Sequence, residues 1–186
     1  MLTATQGKAL IKLARKSIEG VFSKKKPEYG KEKKSFSRKQ GVFVTLLKMP
    51  GRELRGCVGF PYPVKPLADA VADAAKTAAF SDGRFPPVEE KELKRIMIEI
   101  SVLTEPELFE AEHHELPNLI KTGKDGLIVQ FSGFSGLLLP QVATEQKWSS
   151  LEFLRGTCIK AGLPAETWLN PACRVYRFQA QIFDEK

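Results

Sequence analysis

Hydrophobic positions recur along this chain at two spacings, and the predicted elements follow from them. Leu10, Leu13, Ala14, Ile18 and Val21 recur at helical intervals, with Lys8, Lys12, Arg15, Lys16 and Glu19 falling elsewhere, which is the pattern of a helix with one apolar face. Thr3 or Thr5 is placed to cap its start, and Gly20 lies near its end. From residue 41 the spacing tightens. Gly41-Val42-Phe43-Val44-Thr45-Leu46-Leu47 is rich in β-branched and aromatic residues and reads as a buried strand; Met49-Pro50-Gly51-Arg52 reads as a turn, and 54–60 as a second strand weakened by Gly56 and Gly59. Pro66 opens a helix whose apolar face is Leu67, Ala70, Val71, Ala74, Ala75 and Ala78 and which stops near Phe80. Leu93 falls on a short helical turn. Residues 96–103 then alternate, with Ile96, Ile98, Ile100 and Val102 on one face and Met97, Glu99, Ser101 and Leu103 on the other.

The same order returns in the second half. Residues 126–131 form a strand, Ser132-Gly133-Phe134-Ser135-Gly136 a hairpin turn, and Leu137-Leu138-Leu139 a strand ended by Pro140. A helix over 148–161 is closed by Gly162 with Pro164 just beyond, and 174–183 alternates again. Strand-strand-helix-strand thus occurs twice, over 41–104 and 125–184, behind an N-terminal helix and loop at 1–40. Residue identity between the halves is slight, so the repeat is one of pattern. The expected fold is a single α+β unit spanning 1–186, with a mainly antiparallel sheet, packed helices and two similar halves.

Composition narrows the function classes. Hydrophobic residues at 42% and charged residues at 27% are globular values and exclude a largely disordered chain. No apolar run reaches the ~18–20 residues that cross a bilayer, and Lys8, Lys12, Arg15 and Lys16 interrupt any signal-peptide pattern, so a soluble cytoplasmic protein without a membrane partner is expected. The three cysteines, Cys57, Cys158 and Cys173, form no Cys-x-x-Cys pair, and His113 and His114 are adjacent; neither has metal-ligand spacing. No Gly-x-Gly-x-x-Gly or Walker loop is present. No metal and no cofactor is expected. The net charge of +7 is concentrated: residues 23–40 hold eight basic and two acidic residues and so carry +6 of it. That segment reads as a solvated loop or as a nucleic-acid-binding arm; Tyr29 and Phe36 are fewer aromatics than a single-strand binder interleaves.

Three segments could carry chemistry. In Arg55-Gly56-Cys57-Val58-Gly59, two glycines inside a strand mark a bulge or a close approach by backbone or ligand. Arg55 and the glycine backbone could face one anionic group, and a nearby guanidinium could activate Cys57; alternatively Cys57 is a small core residue and the glycines make room for packing. Arg55 and Cys57 share a face only where the strand is regular. Asp82-Gly83-Arg84-Phe85-Pro86-Pro87 is a stiffened loop suited to holding binding groups, or simply an Asp82–Arg84 pair at the helix end. Glu99, on an otherwise apolar strand, needs a partner, for which Arg55 or Arg84 is expected, or else serves as a general base.

These segments, with Gly136-Leu137-Leu138-Leu139-Pro140-Gln141-Val142-Ala143 and Thr157-Cys158-Ile159-Lys160-Ala161-Gly162-Leu163, resemble the AMMECR protein family, named for the human chromosomal region linked to Alport syndrome, midface hypoplasia and elliptocytosis. The resemblance covers nearly the whole chain and centres on Leu54-Arg55-Gly56-Cys57-Val58-Gly59. Val58 stands where the family hallmark usually has isoleucine, and Gly83 where proline is usual. The resemblance implies two lobes separated by a cleft, a hallmark segment suspected of function, and no established reaction. It also implies association with a Memo-like protein and a radical S-adenosylmethionine enzyme.

The expectation is therefore a ligand-binding or enzyme-accessory protein in a modification pathway. Arg55, Gly56, Gly59, Asp82, Arg84 and Phe85 would hold a small-molecule or peptide ligand through an anionic or amide-bearing group. The rival is an enzyme with Cys57 as nucleophile and Glu99 or a histidine as base, and a third reading is nucleic-acid binding through residues 23–40.

Overall fold

The structure is a computed structural model that describes residues 1–23 and 34–185. Residues 24–33, the larger part of the 23–40 segment read as a nucleic-acid arm, lie outside the described residues. Two compact units are present, one of Met1–Leu103 with Gln181–Lys186 and one of Thr104–Ala180.

In the first unit, helix α1 (Ala4–Ser23) is started by Thr3, whose hydroxyl accepts from the Gln6 N–H at 3.2 Å while Gln6 Oε1 accepts from the Thr3 N–H at 2.8 Å. Strands β1 (Val42–Lys48), β2 (Glu53–Phe60) and β3 (Ile96–Leu103) form an antiparallel sheet ordered β2-β1-β3. Period-two alternation sorts its faces. Val42, Val44, Leu46, Ile98 and Ile100 are fully buried beneath α1 and helix α2 (Leu67–Phe80). The opposite face carries Phe43, Thr45, Cys57 and Glu99, all half-buried. Because α2 presents mostly alanine, its backbone comes unusually near the sheet. A Cβ on Gly56 would lie 2.2 Å from the Ala78 carbonyl oxygen, so the approach of the helix requires glycine there.

The second unit holds strands β4 (Glu107–Leu108), β5 (Asp125–Phe131), β6 (Phe134–Leu138) and most of β7 (Arg174–Asp184), with β5 paired to β6 and β7, and β4 to β7, all antiparallel. Helices α3 (Leu116–Leu119), α4 (Pro140–Glu145) and α5 (Ser150–Lys160) accompany them. A capping box between Ser149 and Glu152 starts α5, and Phe153, Leu154 and Cys158 join Leu127, Val129 and Val175 in a second apolar core. The expected turn over 132–136 is shorter than its glycines imply, since β6 already begins at Phe134, and α4 fills the interval before α5.

Candidate functional site

Register places the predicted residues. Leu46 pairs with Gly56 but Leu47 pairs with Leu54, so Arg55 is the extra residue of a β-bulge. The strand is irregular where a shared face for Arg55 and Cys57 needed it regular, and the two side chains have different surroundings.

Arg55 is 8% exposed and densely bonded. Its Nε and Nη2 donate to the two carboxylate oxygens of Glu92, both at 3.0 Å, while Nη1 donates to the Pro86 carbonyl at 2.9 Å and Nη2 to that of Pro87 at 3.3 Å. The bidentate guanidinium holds the Glu92 carboxyl below the usual carboxylate range. Arg55 thus ties the loop after α2 to the short 3-10 turn at Glu90–Arg95.

Cys57 sits in a different network. Asp82, 8% exposed, accepts the Cys57 backbone N–H at 2.8 Å through Oδ2 and the Arg84 backbone N–H at 3.2 Å through Oδ1. Arg84 donates from Nε and Nη2 to the same carboxylate at 2.9 and 2.7 Å, and from Nη2 to the Cys57 carbonyl at 3.0 Å. Both backbone polar groups of Cys57 are therefore clamped by residues of one loop. The Arg84 hydrogen bonds are the leading cause that drives the Asp82 carboxyl far below its ordinary range, and Asp82 in turn raises the Arg84 guanidinium. The Arg84 side chain remains 49% exposed, and its charge also acts on the Cys57 thiol. Its guanidinium also lies 5.4 Å from the centroid of Phe85.

Across the strands, Cys57 faces Thr45 and Thr45 faces Glu99, which sets a thiol, a hydroxyl and a carboxylate in one row over β2, β1 and β3. The Thr45 hydroxyl donates to Cys57 Sγ at 3.3 Å. Burial pushes the Cys57 thiol up, outweighing the lowering by Thr45 and by the Arg84 charge. Glu99 is paired with neither arginine first expected. It forms an ion pair with Arg52, at 3.2 Å, because β1–β3 register and the tight turn bring Arg52 beside it while Asp82 and Glu92 already hold Arg84 and Arg55. Arg52 stands at φ 55°, a left-handed conformation that costs a non-glycine residue roughly 1 kcal/mol. Gly59 belongs to the same face, where a Cβ would meet the Val42 carbonyl oxygen at 2.2 Å.

The structure thus divides the predicted residues. Cys57, Asp82, Arg84 and Glu99 come together at the face of the first sheet opposite its buried apolar side, whereas Arg55 and Phe85 line a hollow with Pro86 and Pro87. Thr45, Arg52 and Glu92 were missed. Thr45 was visible as a polar residue in an apolar strand, but pairing it with Cys57 needs the bulge; Glu92 carried the signal of a Glu89-x-x-Glu92 capping box, which the structure forms. Among the described residues no group of three or more His, Cys, Asp and Glu could hold a metal ion, and no helix is long and apolar enough to cross a membrane.

The AMMECR1 family model matches residues 11–183. A protein of Methanothermobacter thermautotrophicus is 50% identical over 99% of this chain and 96% of its own, and protein MK0488 of Methanopyrus kandleri is 47% identical over 100% and 91%. The crystal structure of the uncharacterised protein PH0010 from Pyrococcus horikoshii superposes with a TM-score of 0.94 at 46% identity, covering 100% of this chain and 94% of that one.

Proposed function

The chain belongs to the AMMECR1 family, and on that premise we propose that it is a cytoplasmic ligand-binding protein, accessory to a modifying enzyme, whose binding surface is the row Cys57–Thr45–Glu99 flanked by Arg84 and Arg52. The observation that carries this reading is the double clamp on Cys57: one loop fixes its N–H and its C=O and leaves a half-exposed guanidinium beside its sulfur. Core packing asks for no such arrangement. A preorganised donor set lowers the ordering cost of binding.

The charge balance selects the ligand group. Arg84 is neutralised by Asp82 and Arg52 by Glu99, and the thiol is held protonated. The surface is close to neutral, with a half-exposed guanidinium at one end of the row and a carboxylate at the other. An amide, which offers one acceptor and one donor, matches this better than a free anion. Peptide or amide-bearing small molecules are the favoured class, and a Memo-like protein and a radical S-adenosylmethionine enzyme are the partners the family resemblance implies.

The rival role of Cys57 as thiolate nucleophile with Glu99 as base is weakened by the raised thiol and by the arginine already engaging that carboxylate. Titrating the isotopically labelled protein with N-acetylglycine methylamide tests the binding reading. Amide shifts centred on Thr45, Cys57 and Arg84, reduced by Arg84→Ala, are expected. Shifts that avoid these residues, or that Arg84→Ala leaves intact, would remove it.

A further inference from the structure

A concave surface elsewhere on the first unit differs from that row in its charge. The hollow that Arg55 and Phe85 line has a volume of about 640 Å³, within the range of small-molecule sites. Its carboxylates are spoken for: Glu92 by the bidentate Arg55, and Glu89 by Lys91, with which it forms an ion pair. Two further cations remain. Lys48 ends β1 and pairs in register with Ile96, and the Met49 N–H donates to the Arg95 carbonyl at 2.7 Å, so the turn of the sheet carries Lys48 and Arg95 to one rim. Neither side chain has an ion-pair or hydrogen-bond partner among the described residues. The field of Lys48 already reaches inward, for it helps lower the Glu92 carboxyl.

The other wall is apolar and stiff. Phe85 stands beside Pro86, whose carbonyl is anchored by the buried Arg55, and the Arg84 guanidinium lies against the Phe85 ring. Two cations without an ion-pair partner among the described residues on one rim and a fixed aromatic wall on the other are complementary to a dianion joined to a flat apolar group.

We propose that this hollow binds a small aromatic phosphomonoester, with the phosphate between Lys48 and Arg95 and the ring against Phe85. A phosphomonoester carries about −1.5 to −2 at neutral pH, which matches the two unpaired cations; a lone carboxylate would leave one of them uncompensated. The site goes beyond the amide-binding surface: Cys57 lines none of its walls, and the two meet only where Arg84 lies against Phe85.

Calorimetric titration of the full chain with phenyl phosphate and, separately, inorganic phosphate tests the proposal. Phenyl phosphate is expected to bind the more tightly of the two. Lys48→Ala and Arg95→Ala, both exposed side chains whose loss leaves the fold intact, are expected to weaken phenyl phosphate about tenfold each. Phe85→Leu is expected to narrow the gap between the two probes, and Cys57→Ala to change neither. Absence of phenyl phosphate binding at about 10 mM, undiminished binding by the Lys48→Ala/Arg95→Ala double variant, equal affinity for inorganic phosphate, or abolition by Cys57→Ala would each overturn it.

Discussion

The two hairpin-and-helix halves of the chain share a strand pairing around one glycine, and differ in the row beside it. On the helix-covered side, Gly56–Leu46–Ile98 across β2, β1 and β3 corresponds to Gly136–Val129–Val175 across β6, β5 and β7. In both, a glycine admits helix backbone: a Cβ at Gly56 would meet the Ala78 oxygen at 2.2 Å, and one at Gly136 the Ala161 nitrogen at 2.4 Å. One residue further on, the rows diverge. Cys57–Thr45–Glu99 in the first half stands where Leu137–Ile128–Tyr176 stands in the second. The helix exits diverge as well. After α5 the chain closes through Gly162 at φ 77°, whereas after α2 it leads into Asp82-Gly83-Arg84 and the clamp on Cys57. The glycine of the hallmark segment is therefore a device of the fold that both halves use, and the polar row with its clamp is what sets the first half apart.

The largest expected effect tests the shared device. Gly56→Ala and Gly136→Ala each drive a methyl into backbone that cannot move aside, and both should lower stability by about 2–4 kcal/mol, read from denaturant midpoints at constant slope. A tolerated Gly136→Ala beside a damaging Gly56→Ala would break the equivalence of the halves.

Next comes the clamp. Asp82→Ala strips the acceptor from the Cys57 N–H and leaves a guanidinium unpaired, at a cost of about 2–3 kcal/mol. Its pH dependence has a defined sign. The folded carboxyl of Asp82 lies far below its unfolded value, so its stabilisation is fully present above the ordinary aspartate range near ~4 and is lost progressively as pH falls below it. Glu92 acts in the same direction through Arg55. Wild type should lose stability steeply in acid, and Asp82→Ala should lose less over the same interval; parallel acid profiles would show that the clamp carries no folded-state charge.

A smaller effect separates the two ends of Arg55 chemistry from Cys57. Glu92→Gln keeps the shape of the Arg55 partner but removes its charge, and should cost about 1–2 kcal/mol without altering Cys57 alkylation. A changed alkylation rate would join the two networks that the bulge separates. The smallest is Thr45→Val. It should cost under about 1 kcal/mol and move the Cys57 thiol further up, because the hydroxyl donor that favours thiolate is gone.

Much of this was legible from residues alone. The paired strand-strand-helix-strand order follows from alternation and from Pro66 and Gly162, since periodicity reports which face is buried. The site was legible as a set of segments but not as a geometry. Nothing in Leu54-Arg55-Gly56-Cys57 says that Arg55 is an extra residue in the ladder, and that single insertion sends its guanidinium to Glu92 and away from Cys57. Glu99 announced that it needed a cation, but which one depended on the turn conformation of Arg52 at positive φ, where composition predicts glycine.

The most direct test is the pH dependence of Cys57 alkylation by iodoacetamide in the full chain, where Cys158 and Cys173 are buried and Cys173 is pushed up to about 11. A neutral thiol within a binding surface predicts a midpoint above the ordinary thiol value of ~8.5 and slower labelling at neutral pH than a free cysteine. A midpoint below that value, with rapid labelling at neutral pH, would make Cys57 a resting thiolate and contradict the account.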